Sequence, residues 1–125
     1  MKYLGIDFGL KRIGLSQSEG QIASILQTIE IESFNDGIEK ILQIVESQGF
    51  DKLVVGLPEG NIGKSVTKFI NVLKKKSLNV VATDETLSSK KALERLIELN
   101  VPKNKRRFND GMAAVIILQD YLDSL

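Results

Sequence analysis

A single α/β domain, built on a five-stranded mixed sheet with helices on both faces, is the fold this sequence predicts. Three observations carry that prediction. The chain has 125 residues, room for one core of ordinary size. Its apolar residues alternate from Leu4 to Phe8, and two further strand-like runs follow by Ile31. After that, helical spacing alternates with short, continuously apolar runs.

Lys2 to Phe8 alternates Leu4, Ile6 and Phe8 with Tyr3, Gly5 and Asp7, the pattern of a strand with one face in a core. Gly9 and Lys11-Arg12 suggest a turn, Ile13 to Ser16 a second strand folding back, and Ile22 to Ile31 a third after the Glu19-Gly20 break. From Asp36 the period changes, with Ile38, Ile41, Leu42 and Val45 at helical spacing up to Gly49, a residue suited to ending a helix. Leu53 to Leu57 is a short apolar run closed by Pro58, as expected of a strand buried on both faces. Val66, Phe69, Ile70 and Leu73 mark a second helix, and Leu78 to Thr83 a fifth strand ending at Asp84-Glu85. A third helix is expected from Leu87 to Leu99, then a polar loop from Asn100 to Arg107. The last helix, Asp110 to Leu122, is apolar nearly all round at its centre and so expected to be buried. The order βββαβαβαα puts a meander before parallel crossovers, which suggests an RNase H-like fold spanning residues 1–125.

Composition excludes whole classes of chemistry. The chain has no Cys and no His, so it holds no thiolate nucleophile, Ser-His-Asp triad, disulfide or Cys/His zinc site. Catalysis near neutral pH is left to carboxylates, lysines, hydroxyls and hard metal ions. No run approaches the roughly 18 apolar residues of a membrane span, so a soluble, cytoplasmic protein without membrane partners is expected. The net charge of +1 conceals an uneven distribution. Residues 1–63 carry five basic and nine acidic side chains, residues 64–107 twelve and four, and residues 108–125 none and three. A basic middle suits a phosphate-rich partner, although Lys74 to Lys76 alone reads equally well as a solvated helix face.

Three acids stand at element ends: Asp7 near the end of the first strand, Glu85 at the end of the fifth and Asp110 at the start of the last helix. Gly5, on the same strand face as Asp7, is expected to leave room for a phosphate or metal. Each acid alone has a structural role open to it, in an Asx turn, a strand end or a helix cap. Together, on elements that this topology brings close, they suit Mg²⁺ or Mn²⁺ and two-metal phosphodiester hydrolysis, which needs neither His nor Cys. The rival is Pro58 to Ser65, which ends in the Gly-Lys-Ser of a phosphate-binding loop. Pro58 stands where that motif opens with glycine, and three strands precede a loop that normally follows the first. Asp7-Phe8-Gly9 also resembles the first phosphate loop of the actin and sugar-kinase superfamily, whose members enclose nucleotide between two domains.

Leu4-Gly5-Ile6-Asp7-Phe8-Gly9 with Lys11-Arg12-Ile13-Gly14, Val55-Gly56-Leu57-Pro58 with Gly63, Asp84-Glu85, and Asn109-Asp110 with Ala113-Ala114 and Ile117-Leu118-Gln119 together resemble the YqgF family along the whole chain. Its members are named as pre-16S rRNA nucleases or Holliday junction resolvases. The resemblance implies an RNase H-like, metal-dependent nuclease of bacterial type acting in 5′-end maturation of 16S rRNA, with junction resolution as the alternative. It places Asp7, Glu85 and Asp110 on the family's acidic positions as catalytic metal ligands, Asp7 being the one suited to bridge two ions. Where the family tends to have arginine after Asp-Glu, this chain has Thr86, which cannot grip a phosphate with charge.

Lys11, Arg12, Lys64, Ser65, Arg106 and Arg107 are the expected contacts to the nucleic-acid backbone, giving affinity and salt dependence rather than sequence preference. A structured RNA, pre-16S rRNA above all, is the expected substrate, with a DNA junction as the alternative and a ribosomal particle as a partner. A monomer suits RNA end-processing, and a homodimer suits a junction with paired strands to cut. The alternative of another class is a catalytically weak nucleic-acid-binding module. A P-loop-type NTPase comes last.

Overall fold

A computed structural model describes residues 1–57, 62–84 and 110–125. Strands β1 (Tyr3–Phe8), β2 (Arg12–Ser18) and β3 (Ser24–Glu30) form an antiparallel meander. They are followed by α1 (Phe34–Gln48), β4 (Lys52–Leu57), α2 (Ile62–Lys75), β5 (Val80–Asp84) and α3 (Asp110–Asp123). The five strands make one sheet in the order β3-β2-β1-β4-β5. β1, β4 and β5 run parallel, with Ile6 beside Val55 and Leu57 beside Asp84. β2 is antiparallel to β1 and to β3.

The alternation read from β1 sorts the molecule into two layers. Leu4, Ile6 and Phe8 join Ile13, Leu15, Leu53, Val55 and Val80 in a core covered by Ile38, Ile41 and Val45 of α1 and Val66, Phe69 and Leu73 of α2. The opposite face holds a smaller core in which Val54, Ile117, Leu118 and Leu122 pack with Tyr3, Val81 and Tyr121. Among the described residues, α3 is the helix that packs on this face. Its residues Ala113, Ala114, Ile116, Ile117 and Leu118 are all buried, which agrees with the apolar character of that segment. Phe8, at the end of β1, lies 4.6 Å from Phe69 and 6.0 Å from Phe34 between ring centroids, so aromatic packing closes the larger core at the end where the parallel strands finish.

The helix ends show how sequence sets the element boundaries. α1 starts earlier than its apolar stripe, because Ser33 caps it: the Ser33 hydroxyl accepts from the Asp36 N–H at 3.0 Å. Asp36 reaches back to accept from the Glu32 N–H at 2.9 Å, a reciprocal arrangement that satisfies two otherwise unpaired donors. That hydrogen bond first, and then Lys40 at 3.0 Å, hold the Asp36 carboxyl below its ordinary value of 3.8. A lowered folded-state value gives stability that is present above pH 3.8 and lost as pH falls through the folded value. Wild type should therefore melt above Asp36→Asn at neutral pH, and the gap should narrow below pH 3.8 and close only once the pH has fallen through the lower folded value. Ser33→Ala should cost about 1 kcal/mol in urea unfolding.

Both crossover helices end in a left-handed residue. Gly49 (φ 68°) closes α1, with the Gly49 and Phe50 N–H groups donating to Val45. Ser77 (φ 66°) closes α2, with the Leu78 N–H donating to the Leu73 carbonyl. Leu78 also packs against the core that contains Leu73. Serine meets a steric penalty in this region that glycine avoids, so Ser77→Gly should raise stability by about 1 kcal/mol. No change in thermal midpoint would show that the strain is absent.

The expected helix from Leu87 to Leu99 and the loop from Asn100 to Arg107 lie outside the described residues. Among the described residues no helix is long and apolar enough to cross a membrane.

Candidate active site at the carboxyl edge of the sheet

Parallel pairing puts the carboxyl ends of β1, β4 and β5 on one edge, where open α/β sheets bind ligands. Asp7 stands there, half-buried and next to last in β1. Its face follows from alternation: Tyr3 of the same strand packs with α3, and Asp7 lies four residues on.

α3 is pinned over this face at three levels. Near its end, the Tyr121 ring lies 6.2 Å from Tyr3, and its hydroxyl accepts from Lys52 Nζ at 3.0 Å. That hydrogen bond raises the Lys52 ammonium above its ordinary value. Further along, Gln119 Oε1 accepts from the Ala23 N–H and its Nε2 donates to the Gln21 carbonyl, both at 2.9 Å. At the centre the buried Ser16 hydroxyl donates to the Ala114 carbonyl at 2.7 Å. Tyr121 above Tyr3, and then Leu118 and Ala114 above Gly5, show that α3 runs antiparallel to β1. Asp110 precedes Ala114 by one helical turn and Asp7 follows Gly5 by two strand positions, steps of about 6 Å each. The start of α3 at Asp110 therefore comes level with Asp7.

Gly5 corrects an expectation. A Cβ built there would lie 2.8 Å from Leu118 Cβ and 2.9 Å from the Ala114 carbonyl, and closer still to Ser16 Oγ. The missing side chain admits α3, not a ligand. Other glycines stand beside Asp7. Gly14 of β2 is its direct cross-strand partner. On the other side β4 presents Gly56, one position beyond the Ile6–Val55 pair. Asp7 thus lies between glycine positions of the two neighbouring strands. Ser16 and Gln119 seat α3 and the two glycines flank Asp7, roles for which the sequence did not single them out. Only their positions in the register give them that role.

Lys11 and Arg12, both exposed, follow β1 at the same edge. With Glu30 and Ile31 they line a shallow depression of about 340 Å³. Lys64, exposed, and Ser65, half-buried, sit in the first turn of α2, which begins beyond the same end of β4. Val81 belongs to the α3 side of β5, so Thr83 shares the face of Asp7. Glu85, Thr86, Arg106 and Arg107 lie outside the described residues. Among the described residues no group of three acidic side chains is placed to hold a metal ion. A larger open depression of about 780 Å³ lies between the β2–β3 turn and the C-terminus, lined by Ile22, Gln119, Leu122 and Leu125, at the other end of the sheet from Asp7.

Comparison with known proteins agrees with this architecture. The family model described as "RuvX: Holliday junction resolvase" matches residues 1–124. A protein of Bacillus cereus (strain G9842), named "Putative pre-16S rRNA nuclease", is 39% identical over 99% of this chain and 99% of its own length. One of the same name from Staphylococcus carnosus (strain TM300) is 39% identical over 99% and 96%. Among solved structures, Thermus thermophilus RuvC in complex with Holliday junction substrate superimposes with a TM-score of 0.67 at 14% identity, covering 99% of this chain and 95% of that one. Fowlpox virus resolvase with its junction DNA gives 0.65 at 11% identity, covering 99% and 98%. These two likenesses are of fold. The five-stranded order, the carboxylate at the end of β1 and the match along residues 1–124 place the chain in the RuvX Holliday junction resolvase family, a nuclease family of RNase H-like fold.

Proposed function

We propose that this protein is a metal-dependent nuclease that hydrolyses phosphodiester bonds of structured RNA in 5′-end maturation of pre-16S rRNA, in the cytoplasm and on a ribosomal precursor particle. The observation that carries the reading is Asp7. It is a carboxylate at the carboxyl edge of the sheet, flanked by glycine positions and level with the start of α3, in a chain 39% identical to relatives named for that RNA. Asp7, Glu85 and Asp110 are the residues we assign to hold Mg²⁺ or Mn²⁺. The fit is chemical, since carboxylate oxygens suit hard divalent ions, and the strand positions flanking Asp7 are the glycines Gly14 and Gly56. The metal, when bound, supplies water activation and charge stabilisation at the scissile phosphate. The chain's own contribution is to hold Asp7 at the carboxyl edge of the sheet, with Lys11, Arg12, Lys64 and Ser65 at the same edge and Arg106 and Arg107 preceding Asp110 in sequence.

Junction cleavage is the second reading, favoured by the family description and by the junction-bound fold neighbours. The test is cleavage of a labelled structured RNA and a four-way DNA junction, with Mg²⁺, Mn²⁺ or EDTA. Metal-dependent cutting of RNA in preference to junction supports the proposal, and the reverse preference replaces it with the second reading. Binding without cutting would favour the nucleic-acid-binding module.

The basic contacts have their own expected signature. Lys11→Gln, Arg12→Gln and Lys64→Gln should each weaken binding and lower the salt slope by about one unit, with little change among RNA sequences. Unchanged salt slopes in all three would remove these residues from the contact surface.

A further inference from the structure

α2 carries more positive charge than its fold requires. Between Glu59 and Asp84 the sequence has five lysines and no acid. On the helix, Lys64, Lys68, Asn71 and Lys75 are all exposed, and at 100° per residue they fall within an arc of about 60°. The opposite side is committed to the core through Val66, Phe69, Ile70 and Leu73. The stripe is thus a continuous outward face about 16 Å long from Lys64 to Lys75.

Helix stability explains only part of it. Lys74 and Lys75 in the last turn complement the helix dipole. Lys64 in the first turn opposes it, with no acid there to compensate. Lys68 is held in place, its ammonium 4.8 Å from the centroid of the Phe34 ring. The adjacent helix has the opposite character: α1 exposes Glu39 and Glu46, and its Lys40 is paired with Asp36. A polyanion lying across this layer is attracted along α2 and repelled by α1.

We infer that the α2 stripe is a docking surface for a duplex arm of the RNA substrate, with Lys68 and Lys75 following its phosphate backbone away from the cleavage edge. The inference rests on the nuclease reading, because α2 starts at the edge that holds Asp7 and runs from it along the outside of the sheet. Lys64 belongs to both surfaces and marks where they join.

The test compares two RNA hairpins, one whose stem ends near the cleavage site and one lengthened by a helical turn. Each is bound to wild type, Lys68→Gln/Lys75→Gln and Lys68→Arg/Lys75→Arg over a salt series. Wild type should bind the longer stem about tenfold more tightly. The glutamine variant should lose that advantage and about two units of salt slope, while the arginine variant keeps both. Cleavage of the short stem should be equal in all three. If the glutamine variant matches wild type on the long stem, or the arginine variant fails like glutamine, the stripe is not a docking surface, while metal-dependent cleavage would leave the nuclease reading standing. If wild type neither binds nor cuts either stem, the nuclease reading fails and takes the inference with it.

Discussion

Asp7→Asn should abolish metal-dependent cleavage while leaving the fold in place. The exchange keeps the size and shape of the side chain and removes its charge, at a strand position whose backbone pairs with Gly14 regardless of side chain. If Asp7 is a metal ligand, the loss should be about 10³-fold, corresponding to roughly 4 kcal/mol of transition-state stabilisation. Two readouts separate this from a general defect. Thermal unfolding without metal should differ little between wild type and Asp7→Asn, whereas the upward shift that Mn²⁺ gives wild type should shrink in the variant. Retention of cleavage within a few-fold of wild type would remove Asp7 from the metal site and leave its conspicuous position at the sheet edge without the chemistry assigned to it.

Gly5→Ala should have the largest effect on stability. The added methyl meets Ser16 Oγ, Leu118 Cβ and the Ala114 carbonyl, two of them belonging to α3. Overpacking of this kind costs about 1–3 kcal/mol. If α3 lifts to admit the methyl, the buried Ser16 hydroxyl also loses its acceptor, at a further cost of about 1–3 kcal/mol. A total near 3 kcal/mol should lower the thermal midpoint by about 10 °C. Ser16→Ala in the same chain should recover part of the loss by removing the nearest obstacle, but not all of it, since Leu118 and the Ala114 carbonyl stay. A Gly5→Ala protein with wild-type stability and reduced activity would instead restore Gly5 as space for a ligand.

How much of this was legible beforehand depends on the range over which each feature is encoded. Patterns with a period shorter than a dozen residues read directly. Leu4, Ile6 and Phe8 announced a half-buried strand, Val66, Phe69, Ile70 and Leu73 a helix stripe, and the apolar centre of α3 its burial. The order of those elements in turn implied the mixed sheet, because a meander pairs antiparallel and a crossover pairs parallel. The absence of His and Cys narrowed the chemistry without any structure. α1 begins before its apolar stripe because its first turn is held by the Ser33 cap rather than by apolar spacing. What Gly5 admits is not legible in the sequence for a different reason. Its neighbours Ala114 and Leu118 lie more than a hundred residues away in sequence, and no local pattern reports a contact of that range. The same holds for Ser16 and Gln119, whose partners are about 98 and 96 residues distant, and for Gly14 and Gly56, which flank Asp7 only through the register of three strands. The sequence by itself determined the elements, their order and the kind of atoms available for catalysis. The tertiary structure decided which small residues seat the last helix and which flank the carboxylate, since that depends on register and helix height, which exist only once the sheet has formed.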